Sequence, residues 1–265
     1  MPPLVFITGA SSGIGQALAL RYHRAGWRLA LAARRISDMQ AWLTEQGIAA
    51  DVARCYHADV CQTESIIAAA QNCIDSQGVP DVVIANAGIS IGMDTRIKED
   101  LAVLEQVMAT NVQGMAATFH PFIQPMQDRA AKFSSPQGPG TLVGIASVAG
   151  IRGMPGHAAY CASKAAAISY CESLRGELKS NGFKVVTLAP GYIQTPLTAK
   201  NKFPMPFLMT AENFADVAFE TIQRGTSFRV IPAPMAWVAR ILRALPDAVF
   251  DRAFKNQPRK HRAPN

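Results

Sequence analysis

Tyr160 and Lys164 stand four residues apart in the run Tyr160-Cys161-Ala162-Ser163-Lys164, with Ser147 shortly upstream. On a helix, positions i and i+4 share a face, so this spacing predicts a phenol beside an ammonium. A neighbouring ammonium favours the phenolate and lowers the tyrosine pKa. Tyr160 is therefore expected to act as a general acid or base near neutral pH. A Tyr-x-x-x-Lys pair alone is common on solvated helices, and its meaning depends on what accompanies it.

The companion is the segment Thr8-Gly9-Ala10-Ser11-Ser12-Gly13-Ile14-Gly15, between the apolar run Leu4 to Ile7 and a helical pattern. Glycine removes side chains where a backbone must approach a ligand. The helix N-terminus that follows offers free N–H groups and a positive dipole end to phosphate. The spacing is Gly-x-x-x-Gly-x-Gly instead of the commoner Gly-x-Gly-x-x-Gly, yet its position between strand and helix points to a dinucleotide and hence to hydride transfer. An NAD site usually places a carboxylate at the end of the second strand, on the ribose 2′-hydroxyl. This chain has Ala33, Arg34 and Arg35 there. A guanidinium suits a 2′-phosphate, so NADP(H) is expected over NAD, with Arg34 the first choice and Arg35 the second.

Strands and helices alternate strictly around these residues. Strands are expected at Leu4 to Ile7, Leu29 to Ala33, Arg54 to His57, Asp81 to Ala85, Thr141 to Ala146 and Lys184 to Leu188. Helices are expected at Gly13 to Ala25, Ser37 to Gln46, Glu64 to Ser76, Glu99 to Asp128 and Ala158 to Ser180. Such alternation implies right-handed crossovers and a parallel sheet with helices on both faces, an α/β/α doubly wound fold. The Ser-, Pro- and Gly-rich stretch 129–140 reads as a surface loop, because the pattern resumes at once. With 265 residues, 49% of them hydrophobic and 17% charged, the chain is expected to form one domain over 1–265.

Five cysteines, Cys55, Cys61, Cys73, Cys161 and Cys171, show neither metal-ligand nor disulfide-framework spacing, so no metal site is expected. No signal-peptide core or membrane span is read, and a cytoplasmic location is expected. The net charge of +7 is concentrated late, in Arg252, Lys255, Arg259, Lys260, His261 and Arg262. No nucleic-acid reading motif accompanies it, which leaves a solvated basic tail.

Together these pieces resemble the short-chain dehydrogenase/reductase family over about Leu4 to Thr195. The resemblance implies that Gly9, Ser11, Ser12, Gly13, Ile14 and Gly15 hold the pyrophosphate and that Asp59 and Val60 meet the adenine. It gives Asn86, Ala87 and Gly88 a supporting place after the fourth strand, although Ala85 stands where the family often has another asparagine. Ser147, Tyr160 and Lys164 match the catalytic triad, and Asn111 the asparagine that holds a water in the proton relay. Pro190, Gly191, Ile193 and Thr195 match a segment near the nicotinamide, and Tyr160 and Lys164 also face the cofactor. A homodimer or homotetramer is implied, and the substrate is expected to be a small carbonyl or alcohol compound.

Beyond Thr195 the resemblance guides no individual residue. The proline-punctuated apolar stretch 192–210, which includes Lys202 and Phe203, is expected to be irregular: a lid over an apolar substrate, or a loop packed on the core. In 234–265, Val238, Ile241, Leu242 and Leu245 follow helical spacing, with Arg240 and Arg243 on another face. This amphipathic extension could pack on its own domain, on a partner subunit or on a membrane surface. Two rival functions stay open: reduction of a 3-oxoacyl thioester on an acidic carrier protein, and a non-catalytic NADP-binding sensor or scaffold.

Overall fold

The computed structural model of the chain describes residues 1–133, 138–199, 201, 204–255 and 262. Seven parallel strands form one sheet in the order β3-β2-β1-β4-β5-β6-β7. They are β1 (Leu4–Thr8), β2 (Arg28–Ala33), β3 (Ala53–His57), β4 (Val82–Ala85), β5 (Thr141–Ile145), β6 (Lys184–Pro190) and β7 (Phe228–Ile231). After β3 the chain returns across β1 to start β4. The strand order therefore reverses between β1 and β4, and ligands of open α/β sheets bind in the crevice at such a switch point.

Both faces of the sheet are covered, which is why the strands read as continuous apolar runs. Alternate residues of β1 show it: Val5 and Ile7 pack with α1 (Gly13–Arg24), α2 (Ile36–Glu45) and α7 (Ala211–Arg224). Leu4 and Phe6 pack with α3 (Thr63–Gln77), α5 (Gly114–Phe133) and α6 (Ala158–Leu178). On the second face, Phe122 lies with its ring 4.7 Å from that of Phe6. At the N-terminal edges of the strands, Asp81 binds β1 to β4: its carboxylate accepts from the Leu4 N–H at 2.8 Å, and its own N–H donates to the Leu4 carbonyl.

The expected strands and helices lie where the apolar periodicity put them, within a few residues at the ends. One local departure has consequences. The long helix is not continuous α: α4 (Leu101–Met108) passes through a π turn at Ala109–Gln113 before α5 begins. Such turns insert an extra residue and re-aim the side chains around it.

The extension past Thr195 contains α7, β7, α8 (Ala233–Ala244) and α9 (Asp247–Phe254). Helix α7 has sequence signals of its own: the Thr210 side chain accepts from the Asn213 N–H as an N-cap, and Gly225 ends the helix at φ +69°. Helix α8 packs on its own chain by part of the expected stripe, with Val238 and Leu242 half-buried. Met235 and Ala239 are buried, whereas Trp237 and Ile241 are 66% and 60% exposed. Of the expected stripe, Ile241 is the residue that faces outward, while Met235 packs beside Gly191. Lys202, Phe203 and 256–261 lie outside the described residues, and among those described no helix is long and apolar enough to cross a membrane.

Candidate active site

The C-terminal ends of β1, β2, β4, β5 and β6 open into a cleft of about 560 Å³. Its floor is the turn from β1 into α1. Gly15 is required there, since a Cβ at that position would run into the Gly9 carbonyl and the Asn86 side chain. The Asn86 Nδ2 donates to the carbonyls of Thr8 (2.9 Å) and Gly9 (3.3 Å), and so ties this turn to the end of β4. Helix α1 starts with no side-chain cap from Ser12 and no acidic residue in its first turn. Its first N–H groups are left for an anion.

Gly9, Ser11, Ser12, Gly13, Ile14, Arg34, Arg35, Asp59, Val60, Asn86, Ala87 and Gly88 all line this cleft, as do Pro190, Gly191, Ile193 and Thr195. Gly15 lies beneath it and shapes the turn. The Arg35 guanidinium donates to Ser11 Oγ at 3.1 Å and pairs with Asp38 at 3.2 Å. Two arginines and a serine thus converge at the end of β2. Asp59 accepts from the Cys61 N–H at 3.0 Å, which fixes its loop at the far end of the cleft. The uncapped helix start, the closed glycine turn and the elongated cleft fit a dinucleotide.

Ser147, Tyr160 and Lys164 meet where β5 and α6 come together. Ser147 Oγ accepts from the Ala149 N–H at 3.1 Å and donates to the Pro190 carbonyl at 3.4 Å. The buried Lys164 donates from Nζ to the Ile145 carbonyl at 2.8 Å and lies 5.8 Å from the centre of the Tyr160 ring. The expected lowering of Tyr160 by this ammonium is not realised. Enclosure by the protein pushes the phenol above its ordinary value, against the opposing pull of the Ser147 hydroxyl. Enclosure also pushes the Lys164 ammonium down to about 8.

Asn111 belongs to the same cluster, buried within the π turn beside Gly88 and Lys164. Its Oδ1 accepts from the Ile89 N–H at 2.8 Å, and its Nδ2 donates to the Ile89 carbonyl and to Ser163 Oγ, both at 2.9 Å. Ser163 in turn donates to the Tyr160 carbonyl at 2.8 Å. The Asn111 side chain thus links the segment after β4 to the helix that carries Tyr160.

A second cavity of about 420 Å³ lies on the opposite side of Ser147 and Tyr160, and both residues line the two spaces. Its walls are mostly apolar: Met154 and Pro155 after the serine loop, Tyr192 and Leu197 after β6, and Met235, Val238, Ala239 and Leu242 of α8, with Phe254 of α9. The segment 192–210 contributes Pro204 and Pro206, whereas Phe207 and Leu208 project outward, 50% and 40% exposed. Arg152, Met154 and the α8 lining carry no motif, so sequence reasoning left them out of the site. Gly191 is the one sequence mark of this wall: a Cβ there would lie 2.9 Å from Met235 Cγ.

The short chain dehydrogenase family model matches residues 3–204. The chain is a short-chain dehydrogenase/reductase. This short-chain dehydrogenase/reductase is 36% identical over 249 residues to an uncharacterized oxidoreductase of Myxococcus xanthus, covering 94% of this chain and 95% of that one. It is 31% identical over 209 residues to the probable oxidoreductase EphD of Mycobacterium tuberculosis, but spans only 33% of that longer protein. Among solved structures, a 3-ketoacyl-(acyl-carrier-protein) reductase from Brucella melitensis complexed with NADH superposes with a TM-score of 0.76. That match is 24% identical and covers 86% of this chain and 94% of the other, a likeness of fold.

Proposed function

We propose that this enzyme interconverts an apolar ketone or aldehyde with its alcohol, using NADP(H). The observation that carries this reading is the position of Ser147 and Tyr160, which form the partition shared by a polar, elongated cleft and an apolar cavity. A hydride and a proton must reach the two atoms of one carbonyl, and a residue facing both spaces can serve that meeting point. Bound in the cleft, the nicotinamide supplies or takes the hydride. Tyr160 donates its hydroxyl proton to the carbonyl oxygen in reduction and accepts it back in oxidation. Ser147 hydrogen-bonds that oxygen and fixes its position. Lys164 binds the nicotinamide ribose and supports the tyrosinate. Asn111, tied to Ile89 and to the Tyr160 helix, would hold the water that resupplies the proton through Lys164.

The preference for NADP(H) is supported by the absence of a carboxylate at the end of β2 and by the convergence of Arg34, Arg35 and Ser11 there. Tyr160→Phe tests the whole reading, because it removes only the transferable proton. Carbonyl reduction followed by NADPH absorbance is expected to fall by about 10²–10⁴-fold, while NADPH still binds. Full turnover in that variant would sink the mechanism. The same assay run with NADH decides the cofactor.

A further inference from the structure

We propose that Arg152 is a positioning residue that latches α8 and α9 onto the catalytic-serine loop. Latched in this way, the helix pair becomes the wall that selects carbonyl compounds with an extended, uncharged apolar body. This rests on the carbonyl reduction proposed above and names its substrate class.

Arg152 follows Ser147 by one short 3-10 turn, Val148–Gly150. Its side chain is 13% exposed. Nη1 donates to the carbonyls of Leu242 and Leu245, both at 2.7 Å, and to that of Arg243 at 3.3 Å. Nη2 donates to Asp247 Oδ1 at 2.8 Å, and the guanidinium lies 4.1 Å from the centre of the Phe250 ring. The last carbonyls of a helix have no partner within it, and a cation is favoured at that negative end. One side chain from the serine loop therefore caps α8, pairs with the start of α9 and stacks on its aromatic residue.

Beyond this, Arg243 of α8 returns one long bond to the Ile151 carbonyl, at 3.5 Å. Only Met235 and Ala239 of α8, and Phe250 of α9, are buried. Yet Met235, Val238, Leu242 and Phe254 form the side of the cavity facing Ser147 and Tyr160. Among the described lining residues Arg152 carries the only permanent charge, and its donors are committed to the helix carbonyls and Asp247. The cavity therefore rewards buried hydrocarbon, and its other polar lining residues, among them Ser90, His157 and Asn201, bring hydrogen-bonding groups but no permanent charge to set against a charged substituent.

The test compares two methyl ketones that share one reacting group, 2-butanone and 2-decanone, with NADPH. Each methylene placed against the wall is worth about fourfold in kcat/KM, so the wild-type enzyme is expected to prefer 2-decanone by about 100-fold or more. In Arg152→Gln that preference is expected to shrink by about tenfold or more, mainly through the KM for 2-decanone. Arg152→Lys, which keeps a donor and a charge, is expected to recover part of it. NADPH affinity, read by fluorescence, reports whether the cofactor cleft is intact in each variant. If Arg152→Gln does not fold, Leu242→Trp fills the cavity from α8 with the latch in place, and is expected to erase the preference.

An unchanged preference in Arg152→Gln would overturn the latch. Equal use of both ketones by the wild-type enzyme, or an undiminished preference in Leu242→Trp, would overturn the wall. Reduction of neither ketone, nor of any other carbonyl, would instead remove the proposed function on which both rest.

Discussion

At the scale of single residues, Lys164 shows how folding changes a group that the sequence presents as an ordinary cation. It is buried beneath the cleft, donates to one main-chain carbonyl and is pushed down to about 8 by burial. Between that value and the ordinary lysine pKa near 10.4, the unfolded chain binds a proton that the folded chain has released. Stability contributed through this group therefore rises with pH across the window. A full traverse is worth on the order of 3 kcal/mol at about 1.4 kcal/mol per pH unit. Lys164→Met lacks this dependence. Denaturant titrations should find the variant ahead of the wild-type protein near pH 7, with its advantage dwindling toward about pH 10. A constant gap between the two proteins would contradict the burial argument. The arginines make a second residue-scale prediction. Arg34→Ala and Arg35→Ala should each raise the KM for NADPH and leave that for NADH little changed, as expected for contacts to a 2′-phosphate. Equal losses with both cofactors would assign the arginines elsewhere.

At the scale of elements, most of what positions the site was legible. Residues 4–7, 29–33 and 81–85 read as buried strands because both faces of a parallel sheet are covered, and their apolar runs say so. Glycines at 9, 13 and 15 located the turn because a backbone that must close this tightly tolerates no side chain. The sequence was silent where geometry depends on long-range packing. Nothing around Asn111 announces the π turn in which it lies. The outward turn of Ile241 was not legible for a similar reason: it shares the helical period of Val238 and Leu242, but the side of α8 that carries Met235 is the one that meets Gly191. Phe122 tests the packing of α5. It is fully buried against Phe6, and Phe122→Ala should cost about 3–5 kcal/mol in a denaturant titration. A loss below about 1 kcal/mol would mean that the ring is not part of the sheet-covering core.

At the scale of the whole molecule, the apolar surface that remains outside is concentrated at a few places, among them Leu101, Phe133, Trp237 and Ile241, each at least half exposed. A homodimer or homotetramer is proposed to cover part of it, and sedimentation should give two or four times the mass of one chain. A single-chain mass at micromolar concentration would overturn that. Helix α8 also joins exposed Trp237 to Arg240, whose guanidinium lies 5.4 Å from the centre of the indole ring.

The two cavities draw on different stretches of the chain. The described residues lining the polar cleft end at Thr198, whereas those of the apolar cavity run on to Leu242 and Phe254. Every described residue that lines the nucleotide cleft has therefore been synthesised while the last two helices are still unmade. Synthesis runs in the same direction as the enzyme's logic. The common part of the machine comes first, and the part that decides what it works on comes last.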